Sequence, residues 1–354
     1  MRTPLLALFA VMACVCHASR YVLYLTGQHP VFPADAHLAD VTHVVLAFIR
    51  SSDFIGKSPS SWDLFTSVES VRAKFPKNKN VSVMIAIGGW GDTNGFSAAA
   101  ASQMGRKAFA ENVKAMLDST RADGVDIDWE YPGGNGEDYK QIPNSQKSWE
   151  VEAYPKLLAE IRAAIGPDKI MSAAVPRDNV TMHHTGINNS MVAVDTYLMN
   201  GVPPEKANLG FAFYVKWYRT NGDCSHEPVG CKTALMEDPK TGKDLGQSGS
   251  FSWHDKVPKE LEKSFHTALN KREWDDDGNY YWDAEENIFW SWETPASMAE
   301  KFPTIVKHRK LGGVFAWGLG EDADAFLHLK TLNALYRKYL KLKSKSAKSE
   351  RDEL

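Results

Sequence analysis

The sequence predicts a (β/α)8 barrel of the TIM type with a small inserted α+β subdomain and with its sixth strand–helix unit missing. Short β-branched runs alternate with longer helical patterns, which implies a parallel sheet. The runs are hydrophobic along their length and carry polar residues only at their C-terminal ends, as strands buried on both faces do in a barrel whose chemistry sits at one mouth. Finally, one interval between strands is too long for a simple connection, and another is too short to hold the unit expected there.

Strands are expected to begin near Tyr21 (YVLYLT), His43 (HVVLAF), Val81 (VSVMIAIGG), Gly124 (GVDIDWE), Lys169 (KIMSAAVP), Ala207 (ANLGFAFY) and Gly313 (GVFAWGL). Helical patterns between them cover 63–74, 105–123, 149–165 and 294–308. Residues 215–282, holding Cys224, Cys231 and short alternating runs, read as the inserted subdomain. The interval 177–206 is the short one. Its stretch 191–200 fits one helix or one strand but not both, and a parallel crossover needs roughly a dozen residues. The sixth unit is therefore expected to be absent, with 191–200 helical and the barrel gapped.

At the N-terminus, Arg2 precedes an apolar run over 5–15, and Cys16-His17-Ala18 offers small residues for cleavage after Ala18, so 1–18 reads as a signal peptide. The run is shorter than the roughly 20 residues of a bilayer span, and no later stretch qualifies. The chain ends Arg351-Asp352-Glu353-Leu354 behind a basic, Ser-rich tail over 341–354, which reads as an endoplasmic-reticulum retrieval signal. The expected catalytic domain is 19–340, in the lumen, as a monomer, with a retrieval receptor as partner. In that compartment Cys224 and Cys231 are expected to form one local disulfide. Asn80, Asn179 and Asn188 open glycosylation sequons, Asn80 poorly accessible at a strand start. A net charge of −3 provides no electrostatic case for nucleic acid or an anionic membrane.

The segment 123–130, DGVDIDWE, carries the chemistry. Side chains two apart on a strand share a face, so Asp126, Asp128 and Glu130 line one side while Val125, Ile127 and Trp129 face the helices. Three stacked carboxylates repel unless protons are shared, so at least one pKa must rise. Glu130, at the strand's C-terminal end, is placed as a general acid.

At these residues the chain resembles glycoside hydrolase family 18, whose signature is Asp-x-x-Asp-x-Asp-x-Glu, and is most similar to its fungal chitinases. The resemblance implies a substrate-assisted retaining hydrolysis of β-1,4-linked N-acetylglucosamine with no metal or cofactor. Glu130 would protonate the glycosidic oxygen, Asp128 would hold the acetamido N–H, Asp126 would hold Asp128, and Asp123 would brace the strand. The family's Ser-x-Gly-Gly motif matches Ala86-Ile87-Gly88-Gly89-Trp90, with Ala86 in place of the Ser. Sugar contacts are implied for Tyr24, Phe48, Gly89, Trp90, Tyr131, Tyr214 and Trp317. The family's Met-x-Tyr-Asp, from the sixth strand, is not found between Pro176 and Ala207. An endo-β-N-acetylglucosaminidase acting on N-glycans and a catalytically impaired chitin-binding protein are the alternatives.

Overall fold

The computed structural model describes residues 19–136, 141–175, 182–241, 243–275 and 277–341. The signal-peptide region 1–18, the Asn179 sequon and the tail from 342 to Leu354 lie outside them. In chain order the strands are β1 (Arg20–Thr26), β2 (His43–Ile49), β3 (Ser82–Gly88), β4 (Gly124–Asp128), β5 (Ile170–Ala173), β6 (Asn208–Ala212), β7 (Tyr214–Arg219), β8 (Ser248–Ser252), β9 (Glu273–Asp275), β10 (Gly278–Asp283), β11 (Ile288–Trp292) and β12 (Gly313–Trp317). The helices are α1 (Val68–Arg72), α2 (Asn94–Ala100), α3 (Gln103–Thr120), α4 (Asn144–Lys147), α5 (Trp149–Ile165), α6 (Ile187–Met199), α7 (Glu262–Lys271), α8 (Pro295–Lys301) and α9 (Leu327–Tyr336).

Seven strands form one parallel sheet in the order β5-β4-β3-β2-β1-β12-β6. The interior strands β1 to β4 are buried on both faces over most of their length, which is why these segments read as largely apolar runs, whereas β5 and β6 at the sheet ends are only partly covered. Outward side chains such as Leu23, Leu25, Val125, Ile127 and Trp129 join the main core under the helices, while Tyr24, Val45, Ala47, Met84 and Ala86 fill the concave side. Trp129 stacks on Phe96 with ring centroids 5.4 Å apart and meets Tyr154 edge-on at 5.4 Å. Burying an aromatic of this size stabilises the fold by roughly 2–3 kcal/mol. It also fixes which way its neighbours Asp128 and Glu130 must point.

Two helix starts show how the sequence sets the outer layer. Ser102 accepts from the backbone N–H of Gly105 to open α3, and Thr294 and Ser297 form a reciprocal capping box on α8. The helical pattern read over 63–74 is realised only as Val68–Arg72, opened by Ser67, which accepts from Ser70 N–H. Residue Asn80 is exposed just before β3, contrary to the expectation of poor access; Asn188 is exposed too.

The sheet is open between β5 and β6. Among the described residues no strand lies between Ala173 and Asn208, and α6 spans the stretch expected to be helical. Its buried positions Ile187, Ser190 and Ala193 recur at helical spacing, and Arg309 pairs bidentately with Asp195 from the turn after α8. A chain committed to this helix has too little length left to add a parallel strand.

The insertion forms a separate antiparallel sheet in the order β8-β7-β11-β10-β9, with α7 packed on it around Phe251, Phe265, Trp290 and Trp292. It begins at Tyr214 and runs through Trp292, so the expected boundary at 282 is corrected. Strand β11 pairs with both β7 and β10 and cannot be separated from the subdomain. The Cys224–Cys231 disulfide is present in it, with Cα atoms 5.7 Å apart.

Candidate active site

The C-terminal ends of β2, β3, β4 and β12 open into a cleft of 1640 Å³, walled on one side by β7, β8 and Met236, Glu237, Lys243 and Asp244 of the insertion. Asp128 and Glu130 lie on its floor, with Phe48, Gly89, Trp90, Tyr131, Tyr214 and Trp317 around them. Trp317 stacks on Phe48 with centroids 5.5 Å apart, which leaves a flat aromatic floor beside the carboxyls. Trp90 is 62% exposed at the rim.

Two glycines let the strands close on these groups. At Gly88, with φ +112°, a Cβ would lie 2.1 Å from the Asp128 carbonyl oxygen. At Gly89, with φ +94°, it would meet the Phe48 ring at 2.6 Å. Neither the conformation nor the space admits a side chain. The Gly89 N–H donates to that same Asp128 oxygen at 2.9 Å, joining the ends of β3 and β4.

Asp126 is fully buried beneath Asp128. Its two oxygens accept from Tyr24 Oη at 2.9 Å and Ser172 Oγ at 2.5 Å. Tyr24, expected among the sugar-lining aromatics, is only 6% exposed and does not line the cleft; it holds a carboxyl instead. At the other end of β4, Asp123 accepts from the Val83 N–H at 2.7 Å and from Arg72 at 2.6 Å, pinning the strand start to β3.

Burial lifts the Asp128 carboxyl, and the adjacent charges of Glu130 and Asp126 lift it further, to about 8. Burial also raises Asp126, opposed by the hydrogen bonds from Ser172 and Tyr24. Glu130 is raised by burial, against the hydrogen bond from Tyr131 and the positive charge of Lys216. The arrangement therefore raises all three carboxyls, and at Asp128 it holds at neutral pH a proton that an ordinary carboxyl would release. It can donate one to a group bound on the aromatic floor while keeping a partly shared negative charge beneath it.

The spacing pattern did not single out several cleft residues. Tyr214, Lys216 and Tyr218 share one face of β7 and all line the cleft; the period of two could have carried the reading from Tyr214 to the others. His184 bonds Tyr214 Oη at 3.1 Å, a contact across thirty sequence positions that no local pattern signals. Glu321 is a further buried cleft carboxyl, raised to about 7 by burial, with His29 lowering and Asp255 raising it.

Comparisons with known proteins agree with this geometry. Chitinase 1 of Aphanocladium album is 26% identical over 343 residues, covering 80% of this chain and 76% of the relative. Endochitinase 1 of Metarhizium robertsii is 25% identical over 351 residues, covering 82% and 77%. A chitinase of Rhizomucor miehei superposes with a TM-score of 0.66 at 18% identity, over 89% of this chain and 99% of that one. A Cycas revoluta chitinase solved with allosamidin superposes with a TM-score of 0.61 at 18% identity, over 90% and 100%. These likenesses establish a barrel-type scaffold. The profile of Glycosyl hydrolases family 18 matches residues 20–183 and 170–322, two stretches that overlap over 170–183. With nearly all of the described chain accounted for by that profile, the protein belongs to glycosyl hydrolase family 18.

Proposed function

We infer that the protein is a chitinase that cleaves β-1,4-N-acetylglucosamine linkages internally, by a retaining mechanism in which the substrate supplies the nucleophile. The observation that carries this reading is the pair Asp128 and Glu130, both with raised pKa, beside the Trp317–Phe48 floor of a long cleft. Glu130 donates its proton to the glycosidic oxygen as the C1–O bond breaks. The 2-acetamido carbonyl oxygen attacks C1 from the other face, forming an oxazolinium ion. Asp128 accepts the acetamido N–H, and with the shared proton residing on Asp126 it presents negative charge to the ion. Water then attacks C1, Glu130 takes its proton, and the anomeric configuration is retained. Trp317, Phe48 and Trp90 offer aromatic faces for the sugar rings.

Chitotetraose hydrolysis followed by NMR of the fresh reducing ends tests the reading. Release of β-anomers supports it, whereas α-anomers or no turnover above a Glu130→Gln control would remove it.

We also propose residence in the endoplasmic-reticulum lumen, retrieved through Arg351-Asp352-Glu353-Leu354. The Cys224–Cys231 disulfide supports an oxidising compartment. Deleting 351–354 is expected to send the protein into the medium, and retention of the truncated chain would end the proposal.

A further inference from the structure

Asp126 occupies the middle of three strands in register: Ala86 on β3 is its partner on one side and Ser172 on β5 its partner on the other. Side chains at paired positions of a parallel sheet point to the same face, so either neighbour can deliver a hydroxyl to this carboxyl. Ala86 has none. The hydroxyl comes from Ser172, whose Oγ donates to Asp126 Oδ1 at 2.5 Å, and Tyr24 serves Oδ2 at 2.9 Å. Among the described residues no side chain of β3 donates to Asp126 in its place. The two strands are not equivalent. β3 is paired on both sides, with β2 and β4, whereas among the described residues β5 pairs only with β4 and ends the sheet. β5 is also short, its four residues half-buried to exposed, while β3 is buried over nearly its whole length. An edge strand held by one ladder opens at lower free energy than an interior strand.

We propose that Ser172 is the positioning residue that holds Asp126, and that the catalytic carboxyl stack consequently depends on the pairing of the edge strand β5. This rests on the reading of Asp126, Asp128 and Glu130 as the catalytic set. A hydrogen bond to a charged group that is lost inside a protein is worth about one to two factors of ten in an equilibrium. When β5 frays, Asp126 keeps Tyr24 but loses its second donor, and the charge balance with Asp128 shifts before the rest of the fold opens.

The test uses the full chain with Ser172→Ala, Ser172→Thr and the double variant Ala86→Ser/Ser172→Ala, which moves the hydroxyl from the edge strand to the interior one. Each is assayed on chitotetraose across pH and temperature, and the Asp126 carboxyl is titrated by carbon-13 NMR. Ser172→Ala should lower kcat about tenfold with KM within about twofold, and should raise the Asp126 pKa. Ser172→Thr, which keeps the hydroxyl, should restore both. In the wild type, activity should fall on heating together with amide exchange in β5 and before global unfolding; the double variant should stay active up to global unfolding. A wild-type kcat and titration in Ser172→Ala would overturn the assignment. Parallel loss of activity and global fold in the wild type would overturn the dependence on the edge strand. If the wild type turns over no chitooligosaccharide, the functional reading fails, and the Asp126 titration of Ser172→Ala against Ser172→Thr still decides whether Ser172 holds that carboxyl.

Discussion

Glu130 and Asp128 share a face of one strand, yet their surroundings assign them different work. Glu130 stands half-buried near Lys216 and Tyr131, whereas Asp128 is 6% exposed between two other acids. Changing Glu130 to Gln keeps shape and removes the proton, so kcat should fall by roughly 10²–10⁴-fold while oligosaccharide binding persists; calorimetry on chitotetraose checks both. Lys216→Met should raise the Glu130 pKa and carry the alkaline limb of the kcat profile to higher pH, because ionisation of the acid is what ends activity there. Asp128 has a stability signature as well. Its folded pKa, about 8, lies far above that of an ordinary aspartate, so the unfolded chain releases this proton first as pH rises. Stability should thus decline from about pH 4 towards pH 8. Asp128→Asn should raise stability at neutral pH on the order of 2 kcal/mol while abolishing most turnover. Denaturant unfolding at pH 5 and pH 8 reads the difference; a gain that is equal at the two pH values would show that Asp128 is ionised in the folded state.

At the scale of elements, β3 and β4 act as one unit at the mouth of the cleft. Gly88 permits the Asp128 carbonyl to approach, and the Gly89 N–H bonds that carbonyl. A methyl at Gly88 must displace backbone rather than a flexible side-chain end, in a conformation that L-residues avoid. Gly88→Ala should therefore cost about 2–4 kcal/mol and pull Asp128 out of register, with a lower melting temperature and kcat both visible. The Gly-Gly dipeptide was legible in the sequence as a motif. Its contact with a carbonyl from another strand was not, because that contact joins residues about forty positions apart. The same holds for Ser172, an unremarkable serine until the register of β4 and β5 places it against Asp126.

For the whole molecule, the open sheet is the dominating feature. Strands β5 and β6 each carry one unpaired edge among the described residues, and such edges weaken local stability and invite association with other chains. Turnover is expected to lie well below that of relatives with eight strands. Inserting a strand–helix unit bearing Met-x-Tyr-Asp between β5 and α6 should raise both the melting temperature and kcat. It would pair the two edges and supply the tyrosine that the family's sixth strand brings. An insertion that folds, as judged by circular dichroism and hydrogen exchange, and changes neither quantity would show that the gap carries no functional cost.

The sequence by itself determined the strand order along the chain, the shared face of Asp126, Asp128 and Glu130, and the lack of a sixth strand among the described residues. These follow from the period of two, the apolar runs and the minimum length of a crossover, all properties of contiguous chain. Only the tertiary structure decided that Tyr24 holds Asp126 rather than facing the cleft, that Ser172 supplies the hydroxyl Ala86 lacks, and that Lys216 and His184 reach the site. It also decided that the insertion runs on to Trp292, because β11 belongs to it through ladders to β7 and β10. Each of these depends on register and closure between segments far apart in sequence, and hydrogen bonds of that kind leave no periodic trace in the residues that make them.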